Sequence, residues 1–109
     1  MAGILYDVVG LGNAIVDIIA PVEDSFLDRF NIRKNGMTLI DEARADALTA
    51  AAPEARQLSG GSGANTIVGV ASFGGTAAYI GKVADDPLGS VFRRDMNESG
   101  IPFDTPPLD

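Results

Sequence analysis

Asn13 and Asp17, four residues apart, and Asn65, four residues after the glycine pair Gly60-Gly61, are the side chains best suited to grip a polyhydroxylated small molecule. A carboxylate accepts hydrogen bonds from a vicinal diol, and such a charge-assisted contact is stronger than a neutral one. A carboxamide both donates and accepts. Paired glycines allow positive φ angles and let a ligand approach where a Cβ would collide. Ser62 is expected to N-cap the helix that follows, with Asn65 in its first turn and the free amides aimed at the turn. Each residue also has a plainer reading. A Gly-rich turn commonly joins strand to helix, and Asn13 can simply cap a turn after Gly12. Asp17 on an edge strand can face water, where it guards against sheet-to-sheet association. Strand alternation groups Asp17 with Ile15 and Ile19 on one face, and Val16, Ile18 and Ala20 on the other. A carboxylate among apolar neighbours is costly unless it is paired or wet.

The elements that must position these residues alternate strand and helix. Tyr6 to Gly10 reads as a short buried strand, and Ala14 to Val22 as a β-branched second strand. Glu23 to Phe30 is expected as a short helix with Phe26, Leu27 and Phe30 on its apolar side. Met37 to Ile40 reads as a strand. Asp41 caps an Ala-rich helix running to about Ala51 and stopping before Pro53. Arg56 to Ser59 leads as a strand into the glycine turn. Ala64, Ile67, Val68 and Ala71 form the apolar stripe of the next helix, which Gly74-Gly75 ends. Thr76 to Val83 is a strand. Asp86 caps a last helix with Pro87 at its first position, Leu88, Val91, Phe92 and Met96 inward, and Gly100 as its stop. This order predicts an α/β fold with a mostly parallel sheet wrapped by helices.

Composition excludes several function classes. Of 109 residues, 46% are hydrophobic and 21% charged, as in an ordinary folded domain. A net charge of −7 with no basic run disfavours nucleic acid and anionic membranes as partners. There is no cysteine and no histidine, which removes disulfide scaffolds, thiolate metal sites and His-dependent nucleophile chemistry. No apolar run approaches the length of a membrane span and no signal-peptide pattern opens the chain, so a soluble cytoplasmic protein is expected.

Neither familiar phosphate motif stands. Gly10-Leu11-Gly12 would need its third glycine where Ile15 lies, and the residues that follow favour strand over helix. Gly75 to Lys82 resembles a phosphate loop, yet five residues separate Gly75 from Gly81, and Val83 stands where a Ser or Thr would hold magnesium.

The order Gly10-Leu11-Gly12-Asn13, Asp17, Gly60-Gly61-x-x-x-Asn65, Gly74-Gly75 and Gly81 to Gly89 resembles the N-terminal part of the PfkB (ribokinase-like) family of carbohydrate and nucleoside kinases, from about Asp7 to Gly100. The resemblance implies a ribokinase-like fold in which residues 14–22, 37–40 and 56–59 belong to a small β lid. An antiparallel hairpin on the edge of the main sheet is the alternative. It implies that Asn13, Asp17, Gly60, Gly61 and Asn65 bind the hydroxyls of the acceptor substrate, and that ATP and Mg2+ are the cofactors. The spacing Asn13-x-x-x-Asp17 and the stretch Val22 to Phe30 look most like the adenosine kinase branch, whereas Gly63-Ala64-Asn65 is more ribokinase-like. With a purine as guest, Met37 and Leu39 would be apolar lid contacts to the base, and the lid would also offer a homodimer surface.

The family's second signature, Asp-Thr-x-Gly-Ala-Gly-Asp, with its catalytic aspartate and anion hole, has no match here. The chain therefore reads as the N-terminal segment of a longer kinase, inactive by itself and holding only the acceptor half. Asp85 and Asp86 are not promoted to a base, since Asp86 before Pro87 is a helix cap. A non-catalytic binding or structural module that keeps the glycine turn for folding is the rival reading.

Overall fold

The computed structural model describes residues 3–108. In chain order the elements are β1 (Val8–Leu11), β2 (Ile15–Ile19), α1 (Asp24–Arg29), α2 (Glu42–Ala51), β3 (Arg56–Gly60), α3 (Ser62–Ser72), β4 (Ala77–Ile80) and α4 (Pro87–Glu98). They fall into two compact units, one holding the chain up to Asp17 and again from Gln57, the other Ile18–Arg56.

In the larger unit β1 runs parallel to β4, with Val8 opposite Ala77 and Leu11 opposite Ile80. Parallel strands require a long crossover, and here α3 enters from it and packs on both strands. The approach is close because β1 carries glycine at its contact point: a β-carbon on Gly10 would lie 2.7 Å from Ile67 Cγ1. Ala64 and Ile67 from α3, Ala77 and Tyr79 from β4, Phe92 and Met96 from α4, and Ile101 and Phe103 beyond it form the core. Phe92 and Phe103 meet edge-on with centroids 5.0 Å apart, and Tyr79 lies 6.0 Å from Phe92, distances at which aromatic pairs attract beyond their buried area.

The helix ends follow from local chemistry. Asp86 accepts a hydrogen bond from the Gly89 amide at 2.7 Å and caps α4, with Pro87 in its first turn. A side chain at Gly89 would collide with the Ala84 carbonyl. At the other end Gly100 takes φ +78°, and the amides of Gly100 and Ile101 return to the carbonyls of Asn97 and Met96. That paired closure brings the buried side chains of Ile101 and Met96 to one end of the helix. Gly74 and Gly75 close α3 in the same way onto Ala71 and Val70. Val91, Phe92 and Met96 face inward as their spacing predicts, but Leu88 remains exposed while its neighbour Gly89 is buried.

β2 and β3 form a second two-stranded sheet. Of the expected lid elements, 14–22 contracts to Ile15–Ile19 and 56–59 extends to Gly60. Residues 37–40 form no strand. Met37 and Leu39 are 84% and 87% exposed, and their alternating pattern has no neighbouring ladder to join.

In the smaller unit, Asp41 accepts from the Arg44 amide at 2.8 Å and caps α2 as expected. Phe26 and Phe30 pair along α1, with the Arg29 guanidinium 4.5 Å from the Phe30 centroid. Both helices line an apolar cavity of about 270 Å3, with Val22, Phe26, Ile32, Ile40 and Leu48 in its wall.

Candidate functional site

The glycine pair and the turn after β1 meet in the larger unit. Gly60 is buried at the end of β3, and a β-carbon there would lie 2.6 Å from Asp17 Cγ, with the carboxylate oxygens also against it. Asp17 is exposed and its carboxylate lies directly over the bare backbone of Gly60. Gly61 has φ +92°, the left-handed region that favours glycine, and a β-carbon there would be 3.4 Å from the Asn13 carbonyl and 3.3 Å from Ile15 Cδ1. Ile15 and Asp17, on one face of β2, thus stand beside the pair, and the Asn13 backbone carbonyl lies against Gly61.

Ser62 does not cap α3. Gly61 is the N-cap, Ser62 is the first helical residue, and no side chain accepts from the first turn. The positive φ of Gly61 turns the chain one residue earlier than a serine cap would. The first intrahelical bond runs from the Asn65 amide to the Gly61 carbonyl at 2.9 Å, leaving the amides of Ser62, Gly63 and Ala64 as the unpaired donors of the helix start.

Asn65 is exposed one turn into α3 and lines a depression of about 360 Å3 with Leu58, Ser59, Val68, Asp95, Glu98 and Ser99. The structure therefore gathers Asn13, Asp17, Gly60 and Gly61, and places Asn65 beside α4 residues. Met37 and Leu39 lie in the smaller unit, exposed to solvent.

A residue absent from the sequence reading supports the site from beneath. Tyr79 is 3% exposed, and its hydroxyl donates to the Asn13 carbonyl at 3.1 Å. A tyrosine in an apolar strand reads as core packing. What marks this one is Gly10, Gly12, Gly63 and Gly81 around its ring, residues far apart in the chain.

Lys82 donates to the Pro106 carbonyl, so the rejected phosphate loop ends on backbone. Among the described residues no three carboxylates gather closely enough to hold a metal ion. The carboxylates among the described residues do not make up a magnesium site. Among the described residues no helix is long and apolar enough to cross a membrane.

A model described as the pfkB family of carbohydrate kinases matches residues 8–106. The chain belongs to the pfkB carbohydrate kinase family. Among solved structures, this pfkB chain is similar to the adenosine kinase of Sinorhizobium meliloti, with 54% identity and a TM-score of 0.76, covering 95% of this chain and 32% of that one. It is similar also to a probable sugar kinase protein of Rhizobium etli CFN 42, with 47% identity, a TM-score of 0.75, and coverage of 94% and 31%. A fructokinase of Escherichia coli is 45% identical over 42 residues, 38% of this chain and 14% of the relative. The chain spans about a third of the two solved structures and a smaller share of the fructokinase. Its α/β architecture is a portion of the ribokinase-like fold.

Proposed function

We propose that this pfkB segment is the acceptor-binding part of an ATP-dependent kinase that phosphorylates the hydroxymethyl group of an adenosine-like nucleoside. The observation that carries the reading is the exposed Asp17 carboxylate seated against Gly60, where no β-carbon intervenes, with the Asn13 carbonyl against the neighbouring Gly61. The exposed carboxylate accepts from two adjacent hydroxyls of a ribose ring. The nucleoside is favoured by 54% identity over 95% of the chain to an adenosine kinase. Met37 and Leu39 are the proposed apolar contacts to the base.

Phosphoryl transfer also needs a base for the acceptor proton, magnesium on the phosphates and a preorganised anion site. These are assigned to polypeptide outside this segment. The segment's own part is to orient the acceptor so that its hydroxymethyl group points away from Asp17 and toward the donor. A sugar acceptor is the second reading, favoured by the 45% identity to a fructokinase.

The test is ADP release by the full-length protein with adenosine, other ribosides, ribose and fructose. Adenosine is expected to give the highest kcat/KM. A preference for fructose selects the second reading, and no ADP with any acceptor overturns both in favour of a non-catalytic module.

A further inference from the structure

We propose that Tyr79 is a positioning residue for acceptor binding, its hydroxyl holding the Asn13 carbonyl and thereby the turn that sets Asn13 and Asp17 against the glycine pair. This inference rests on the acceptor site proposed above.

The phenol occupies a slot that Gly10, Gly12 and Gly81 keep open, with Gly63 at ordinary contact distance. A β-carbon on Gly12 would lie 2.8 Å from Tyr79 Oη, one on Gly81 3.1 Å from Cε1, one on Gly10 3.2 Å from Cδ2, and one on Gly63 3.6 Å from Cε2. Phe92 and Phe103 pack against the same ring. Apolar packing accounts for the ring but not for the hydroxyl, which reaches through the slot to a single acceptor.

That acceptor lies where the site is built. The Gly12 amide donates to the Ile80 carbonyl at 3.1 Å, prolonging the β1–β4 ladder by one bond. One residue later the Asn13 carbonyl receives Tyr79, and the same oxygen is 3.4 Å from where a Gly61 β-carbon would be. The turn is thus tied at two successive residues to β4, and its carbonyl faces the start of α3. Without the hydroxyl the second tie is lost, and the turn is free to shift relative to Gly60 and Gly61. Burial raises the Tyr79 phenol above its ordinary value of 10.0, so it remains a donor throughout the neutral range.

The experiment compares Tyr79→Phe and Asp17→Ala with the unmodified full-length protein, measuring KM for adenosine, KM for ATP and kcat. Tyr79→Phe keeps the ring and removes only the donor. It is expected to raise the adenosine KM about fivefold, the weight of one neutral hydrogen bond, and to leave the ATP KM unchanged. Should Tyr79→Phe fail to fold, Gly12→Ala takes its place, because its methyl displaces the hydroxyl while the ring remains. A lowered melting temperature with both KM values unchanged makes Tyr79 merely structural and overturns the proposal. An adenosine KM that rises in Asp17→Ala but not in the Tyr79 variant also overturns it, with the acceptor site intact. An unchanged adenosine KM in Asp17→Ala sinks the acceptor site itself, and this inference with it.

Discussion

The Asp17 carboxylate fills the space that a β-carbon on Gly60 would take, with Cγ 2.6 Å from that point. The observed position of the aspartate requires a glycine at 60. Gly60→Ala is therefore expected to push the carboxylate away from the turn. The nearest atoms to that point belong to the exposed Asp17 side chain, which can swing into solvent, so the melting temperature is expected to change little. Calorimetric titration with adenosine and a thermal melt check the two effects. Retained affinity in a folded variant would separate Gly60 from the site.

Asp17→Ala is expected to act on binding and not on folding. The lost charge-assisted contact contributes about 1.5–3 kcal/mol, roughly a ten- to hundredfold loss of affinity. The side chain is exposed and packs no part of the core, so the melting temperature is expected to stay level or rise slightly. A sharp fall in melting with unchanged affinity would falsify the binding role.

Asp7 predicts an acid dependence. The Thr76 amide donates to its carboxylate at 2.9 Å and the Thr76 hydroxyl at 3.1 Å, and these bonds hold its pKa below the ordinary 3.8. A pKa lowered by folding stabilises above the unfolded value, and the contribution vanishes as pH falls through the lower folded value. The stability gap between the unmodified chain and Asp7→Asn is expected to be constant from neutral pH down to the ordinary carboxylate range, then to close in strong acid. Urea midpoints across that range measure it, and a gap independent of pH refutes the role.

Helix ends and capping residues were legible because their chemistry is local. Asp41 and Asp86 cap the helices their positions imply, and Gly74 and Gly100 close theirs with positive φ. The face shared by Ile15 and Asp17 follows from period-2 alternation alone. Met37 to Ile40 misled because a strand exists only with a partner, which alternation cannot supply. Ser62 misled because a glycine able to take φ +92° immediately before it assumed the cap. Tyr79 was invisible as a site residue because its meaning lies in glycines scattered from position 10 to 81.

The β1–β4 pair presents an uncovered apolar face. Gly10 and Tyr79 point toward α3, so Val9, Leu11 and Ile80 point away, and Leu11 is 81% exposed. Such a patch promotes association. The 109-residue polypeptide alone is expected to elute as dimers or larger species in size-exclusion chromatography with light scattering. Leu11→Lys with Ile80→Lys is expected to shift it toward monomer. A monodisperse monomer with a cooperative melt from the unmodified chain counts against this.

The pairing of Asp7 with Thr76, at the start of the β1–β4 ladder, spans 69 positions of chain. During synthesis β1 leaves the ribosome long before its partner exists, so the turn bearing Asn13 has nothing to lean on until Ile80 has emerged. Closing so long a loop costs roughly 1.5 kcal/mol more entropy than closing a minimal crossover of about a dozen residues. Early folding of Ile18–Arg56 would shorten the effective span and recover part of that cost. The turn bearing Asn13 is thus made well before the strand that organises it.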